Sequence, residues 1–152
     1  MFNIKNIVVP TDFSKLSFSA FEYAKELAES TNAIIHLVYV MEKTPPFLAS
    51  RSLHLSDEEV IQLMEVESKK QLNEIVANLS EDTSNKIIEV FRKGIDYEEI
   101  VNYAIEINCE LIIIATHGRS GIMHSLLGSV AEKVIRFAKS PVLVIKPQDD
   151  EP

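Results

Sequence analysis

Cysteine is nearly absent. Cys109 stands alone in 152 residues, so no intrachain disulfide and no cysteine-based metal cluster can form, and a reducing cytosol fits. Positive charge is scarce. Fifteen Lys and Arg (15) stand against 23 Asp and Glu, for a formal charge of −8. That balance removes the basic face that broad nucleic-acid binding needs and the attraction that would dock the chain on anionic lipid. Any anionic ligand must then be held by local dipoles and one or two cations. Long apolar runs are missing too. The opening MFNIKNIVVP holds no apolar segment of signal-peptide length, and no run approaches membrane-spanning length. We therefore expect a soluble, cytoplasmic protein with no nucleic-acid or membrane partner. No internal repeat, low-complexity segment or domain boundary interrupts the chain. Its length suits one domain that buries a core without metal or disulfide support, expected over residues 1–147, with 148–152 as a short acidic tail.

Glycine is scarce and clustered. Average usage would supply roughly ten. There are 4, and Gly118, Gly121 and Gly128 all lie within LIIIATHGRSGIMHSLLGS, from Leu111 to Ser129. This stretch begins as an apolar run, Leu111 to Ala115, passes through a polar turn, and closes at Gly128-Ser129, where a helical pattern starts. A glycine loop between a strand and a helix offers backbone N–H groups and a helix N-terminus to an anion. We expect it to hold the phosphates of a nucleotide.

The remaining chain alternates short apolar runs with helical patterns. Ile4 to Val9 reads as a strand, ended by Pro10, which cannot donate to a ladder. Thr11-Asp12-Phe13-Ser14 is rich in N-cap types, and Leu16, Ala20, Ala24, Leu27 and Ala28 predict a helix from about Lys15 to Ser30. A second strand is expected from Ala33 to Val40. The segment Met41 to Leu55, with Pro45-Pro46, is longer than the usual connection, a sign of a functional or mobile loop. Ser56-Asp57-Glu58-Glu59 reads as a capping box. It opens a helix to about Ser80 whose stripe of Val60, Leu63, Met64, Leu72, Ile75, Val76 and Leu79 is expected to be core. Lys86 to Arg92 is a third strand. Asp96-Tyr97-Glu98-Glu99 is a second box-like start, for a helix carried by Ile100, Val101, Ala104 and Ile105. Leu111 to Ala115 is the fourth strand. Val130, Val134, Ile135 and Ala138 mark a last helix, stopped by Pro141, and Val142 to Ile145 is the fifth strand. The alternation predicts an α/β fold with a five-stranded, parallel, open twisted sheet and helices on both faces.

Ligands of such sheets sit beyond the carboxyl ends of the strands, where strand order reverses. With the first strand central, in the order 3-2-1-4-5, the loop Pro10-Thr11-Asp12 faces the glycine loop, and Val40 lies beside them. Asp12 is placed to accept from ribose hydroxyls, the Val40 backbone to pair with an adenine edge, and the loop from Gly118, with the amides of Ser129 and Val130, to take phosphates. Ser120 and Gly121 belong to the same loop, although Gly121 also reads as a residue that only relieves a turn. Arg119 reads as a phosphate clamp or as a solvated charge. Ser129 also reads as the cap of a box, Ser129-Val130-Ala131-Glu132, and Asp12 as the cap of the first helix. His117 and His124 share the loop without a carboxylate or cysteine at ligand spacing. No metal site is expected, and His117 reads as a turn residue packed on the strand. Cys109 carries no activating motif and reads as structural.

The stretches IVVPTDFS, LVYV, GIDYEEIVNYA and ATHGRSGIMHSLLGSVAEKVIRFAKSPVLVIKP resemble the universal stress protein family in its single-domain, ATP-binding form. That branch carries a glycine, two residues, a glycine, nine residues, then Gly-Ser or Gly-Thr. Gly118, nine residues and Gly128-Ser129 match. The first glycine position is Ala115, whose Cβ stands where the family's backbone approaches the ribose and disfavours a positive φ. The resemblance implies a Rossmann-like fold of the adenine nucleotide alpha hydrolase type. It implies ATP as the ligand, any Mg²⁺ being carried by the phosphates, and a homodimer joined through the last strand. The sequence independently allows that dimer, because Val142, Leu143, Val144 and Ile145 would form a bare apolar edge that a monomer must protect or pair.

The leading reading is a nucleotide-binding regulatory homodimer of the stress response, with an unidentified protein partner. Phosphoryl transfer wants an in-line nucleophile, a positioning base and cations on the γ-phosphate. The loop has no Walker Lys-Ser/Thr pair and no paired carboxylates, which leaves at most slow ATP hydrolysis or autophosphorylation. The alternative is a nucleotide-independent stress protein acting through its dimer and partner surfaces. An adenylyl or phosphoryl transferase of this fold would carry an HxGH or SGG loop where Thr11-Asp12-Phe13-Ser14 stands. A response-regulator receiver would need a second Asp where Phe91-Arg92-Lys93 stands.

Overall fold

A computed structural model describes residues 3–43, 51–118 and 127–147. Each apolar run becomes a strand and each amphipathic run a helix, in the order β1 (Asn6–Thr11), α1 (Lys15–Thr31), β2 (Ile34–Met41), α2 (Asp57–Glu81), β3 (Ile87–Lys93), α3 (Asp96–Glu106), β4 (Leu111–Ala115), α4 (Ser129–Phe137) and β5 (Val142–Ile145). The strands form one sheet in the order β3-β2-β1-β4-β5, and every neighbouring pair is parallel.

Side-chain alternation along the central strand divides the core in two. Ile7 and Val9 point to the face that carries α1 and α2, where they meet Ala20, Phe21, Ala24 and Leu72. Val8 points to the opposite face, with Val38, Ile100, Ile112 and Val134. Helix α1 lies close on its face because Ala20, Ala24 and Ala28, at four-residue spacing, present only methyl groups to the strands. Its N-cap is Ser14, whose hydroxyl accepts from Ser17 N, and it ends at Asn32 with φ 57°, a residue type that tolerates the left-handed conformation. The predicted capping box at α2 is present, with Ser56 and Glu59 each bonded to the other's backbone.

Several expectations change on the helices. The α2 stripe advances in four-residue steps through Val60, Met64, Ser68 and Leu72. That path leaves Leu63 outside, 55% exposed. On α3 the buried position goes to Tyr103, and Ile105 faces out; on α4 Val134 is buried and Ile135 exposed. Asp96 does not open a box. The N-cap is Ile95, with no side-chain cap bond, and Asp96 Oδ1 accepts from the neighbouring Tyr97 N at 2.6 Å.

Pro10 does not end β1, which runs on to Thr11 opposite Tyr39 of β2. Pairing with β4, however, covers only Ile7↔Leu111 and Val8↔Ile112. The reason is parity. Alternate residues of a parallel strand turn their backbone groups to opposite neighbours. Lys5 O takes Ile34 N on the β2 side and Asn6 O takes Glu110 N on the β4 side, so Pro10 falls on the β4 side. Its missing N–H therefore costs the β2 ladder nothing and cuts the β4 ladder short. β1 and β4 part at their carboxyl ends.

One buried polar cluster joins the sheet to α3. His36, 5% exposed, places Nδ1 2.8 Å from Tyr103 Oη and Nε2 3.1 Å from Asn6 Oδ1. These partners suit the neutral ring, with Nε2–H donating to Asn6 and Nδ1 accepting from Tyr103. The charged groups around the cluster are Lys86, Arg92, which lies over the Tyr103 ring, and Glu106, paired with Arg92. Burial first, then Lys86, holds the His36 pKa below its ordinary 6.5. The unfolded chain thus binds the proton more readily than the fold does. The stabilisation is complete above the ordinary histidine value and is lost as pH falls through the lower folded one. The urea midpoint should therefore drop between about pH 7.5 and about pH 5.5, and His36→Gln, which cannot take the charge, should show a smaller drop over that range.

Candidate functional site

The β1–α1 turn is held by a chain of short-range bonds. Ser17 Oγ donates to Ser14 O at 2.8 Å, and a hydroxyl has one proton. In the 3.0 Å contact between them, Thr11 Oγ1 is therefore the donor to Ser17 Oγ. Thr11 Oγ1 also accepts from Phe13 N at 3.1 Å, and Asp12 Oδ1 accepts from Ser14 N at 2.9 Å. Phe13 sits at φ 69°, a costly conformation for a bulky side chain, with its ring stacked on Tyr39, centroids 4.1 Å apart and planes 11° apart. Asp12 is thus not the cap of α1, a role taken by Ser14. Its carboxylate lies instead over the glycine loop. A Cβ built on Gly118 would stand 2.2 Å from Asp12 Oδ2, so a side chain here would have to push the Asp12 carboxylate aside.

The glycine loop leaves β4 and returns to α4. Thr116 N donates to Ile145 O, and Thr116 O accepts from Gly128 N at 2.6 Å, which joins the two ends of the loop. A Cβ on Gly128 would meet Thr116 O at 2.9 Å. Close approach, with φ at −70°, is therefore what requires glycine here. Gly128 is also the N-cap of α4, without a side-chain cap bond. This corrects the expected box at Ser129. The chain enters α4 one residue earlier, and Ser129 is the first helical residue, its side chain exposed. The first helical hydrogen bond runs from Glu132 N to Gly128 O at 3.0 Å. The N–H groups of Ser129, Val130 and Ala131 have no partner among the described residues, and the helix dipole adds partial positive charge there. The Thr116 hydroxyl is buried and makes no hydrogen bond among the described residues.

Between these loops lies a crevice of about 550 Å³, where the β1–β4 ladder stops. Pro10, Thr11, Asp12, Val40, Ala115, His117, Gly118, Gly128, Ser129 and Val130 all line it. Arg119, Ser120 and Gly121, with His124, lie outside the described residues, as do 44–50 of the long β2–α2 connection and the tail. Val40 falls on the side of β2 that faces β1, and β1 ends opposite Tyr39. The Val40 carbonyl is therefore past its last strand partner. Ala115 differs from expectation. It is a strand residue paired with Ile145, its φ is not positive, and it packs in the core beside Ile113 and Ile145. Nothing in its conformation calls for glycine.

Sequence reasoning missed Val38, Met64, Asp96 and Ile100 on the walls. Val38 had a signal, since it shares the Val40 face at a two-residue spacing. Asp96 had one as well, being the first helical residue after β3, at the sheet edge where ligands gather. Met64 had none, because its position follows from how α2 crosses the sheet. Among the described lining residues the charged ones are Asp12, Glu42 and Asp96, and none is Lys or Arg.

A doubly wound parallel sheet with its crevice at the strand-order reversal, a carboxylate on one wall and a helix N-terminus on the other, defines an open-sheet α/β domain of Rossmann-like architecture. The chain belongs to the universal stress protein family, whose sequence profile matches residues 3–146. It is 34% identical over 142 residues to the universal stress protein MJ0531 of Methanocaldococcus jannaschii, covering 93% of this chain and 82% of the relative. The solved structure of MJ0577, from the same organism, superposes with a TM-score of 0.82 at 29% identity, covering 98% of this chain and 100% of that one. A universal stress protein from Archaeoglobus fulgidus, solved in complex with dAMP, superposes with a TM-score of 0.66 at 23% identity, covering 95% and 100%.

The latch between Thr116 and Gly128 leads to a stability prediction. Gly128→Ala forces a methyl against the Thr116 carbonyl and should lower stability by about 1–3 kcal/mol, read as a lower urea midpoint at unchanged slope.

Proposed function

We propose that this protein is an ATP-binding regulator of the stress response, working in the cytoplasm as a homodimer with little or no turnover. The observation that carries the reading is the row of three N–H groups at Ser129, Val130 and Ala131, without partners among the described residues and set in the wall of a crevice at the strand-order reversal. That row, with Gly118 and the loop residues Arg119, Ser120 and Gly121, takes the phosphates. Asp12 accepts from the ribose hydroxyls, the Val40 backbone pairs with the adenine edge beyond Pro10 and Thr11, and His117 flanks the phosphate end beside Gly128. The unpaired Thr116 hydroxyl fits a site whose polar groups await a ligand or its water. The relative solved with dAMP supports an adenine nucleotide. Mg²⁺ enters on the phosphates; among the described residues no group of three His, Cys, Asp or Glu could hold a metal. Little turnover is expected because the loop sequence carries no Walker Lys-Ser/Thr pair and no paired carboxylates for metals on a γ-phosphate.

The dimer forms through β5. That strand ends the sheet, and it leaves Leu143 exposed, with Ile135 and Phe137 exposed on α4. An unpaired apolar edge of this kind is stabilised by pairing with a second copy. No helix of the described residues is long and apolar enough to cross a membrane.

Protein purified and then denatured should release an adenine nucleotide, identified by chromatography, and nucleotide-free protein should bind ATP in isothermal titration. No heat and no thermal shift with ATP, AMP or cyclic AMP would overturn the reading. Ala115→Gly should bind within about threefold of the native affinity. If the variant bound ATP and the native chain did not, the nucleotide-independent reading would replace this one. Leu143→Asp should place a charge in the β5 pairing face and convert the dimer to monomer in sedimentation velocity.

A further inference from the structure

We infer that Asp96 reads the base: its carboxylate accepts a hydrogen bond from the exocyclic amine of adenine and turns away bases that carry a carbonyl oxygen there. The inference rests on the nucleotide reading above and names the feature of the ligand that the far wall selects.

Asp96 is held against the end of β2 by backbone. Gly94 N donates to Met41 O at 3.0 Å, one residue beyond Val40. Gly94 sits at φ 152°, where a Cβ would also meet Glu99 Oε1 at 2.8 Å. The two-residue step from this pinned glycine brings Asp96, the first residue of α3, to the crevice wall. It is half-buried there. Its Oδ1 is occupied by Tyr97 N at 2.6 Å, and its Oδ2 has no hydrogen-bond partner among the described residues. The surrounding wall is apolar, from Val38, Ile100 and Ile114. A flat base fits such a slot, and the Asp96 carboxylate at its rim is a strong acceptor there.

The second acceptor is the Val40 carbonyl, left without a strand partner where β1 ends. An exocyclic amine has two N–H groups, and Val40 and Asp96 supply two acceptors. Adenine satisfies both. Hypoxanthine and guanine put an oxygen at the same position, so a lone pair would face the carboxylate, a repulsive contact. The competing account is that Asp96 only orders the start of α3 through Tyr97 N, which predicts an effect on stability and none on base preference.

Isothermal titration of nucleotide-free protein with ATP, inosine triphosphate and N6,N6-dimethyl-ATP separates the two accounts. The native protein should bind ATP at least about tenfold more tightly than either analogue. Asp96→Asn keeps an oxygen for Tyr97 N and turns an N–H to the base, so the ratio should move towards inosine triphosphate by about tenfold. Asp96→Ala should shrink the native ratio and leave only the part set by the Val40 carbonyl. The dimethyl analogue tests the native chain even if a variant fails to fold. Equal native binding of all three ligands, or variants that melt earlier yet keep the native ratio, would overturn the role of Asp96 and leave nucleotide binding standing. Binding of none would remove both.

Discussion

A central strand must pair on both sides, and Pro10 lets β1 complete only one of its ladders. Because the missing donor faces β4, the sheet stays continuous on the β2 side and splits on the other. The split places the ends of β1 and β4 apart, lets the Asp12 carboxylate reach over Gly118, and gives the crevice its depth. The β1–α1 turn is then held open by bonds of its own, from Thr11 through Ser17 to Ser14, and by the Phe13 ring stacked on Tyr39. A backbone angle that is unfavourable in isolation persists here because its surroundings over-determine it.

An acidic molecule that holds an anion must do so locally. The net charge of −8 sets a repulsive far field, which salt screens over roughly 8–10 Å. Inside the crevice the sign is set by what lies within a few ångströms, and at the α4 end that is unpaired N–H groups and a helix dipole. The carboxylates of Asp12, Glu42 and Asp96 line the same crevice. Under the proposed nucleotide reading, polarity along the crevice places phosphates at α4 and hydrogen-bond donors towards the acids. Family membership is established by the profile over residues 3–146.

Element order and sheet topology were legible because apolar runs and helical stripes differ in period, and a parallel α/β sheet follows from their alternation. The meeting of Pro10-Thr11-Asp12 with the glycine loop followed from topology alone. The details that escaped depend on contacts across the fold. Ser129 looks like a cap by residue type, yet Gly128 takes that place because Thr116 O pulls its N–H inward. Asp12 looks like a cap, and Ser14 takes its place because Thr11 and Ser17 bond across the turn. Leu63 matches a helical stripe whose path along α2 bends away from it. Ala115 reads as a departure from a glycine motif, whereas in the fold it is an ordinary strand residue with a core-facing methyl. Tyr103 was overlooked as a core residue because its hydroxyl argues for the surface, and His36 satisfies that hydroxyl in the interior.

The bond between Thr116 O and Gly128 N brings the two ends of the glycine loop to a common point. Strand β4 and helix α4 are thus registered to each other independently of whatever chain is strung between. Changes in the length of that interval would cost little, since its two ends are already joined and loop-closure entropy grows only slowly with length. One hydrogen bond of this kind makes the registry of the last helix on the sheet a property of the frame and not of the loop's own sequence.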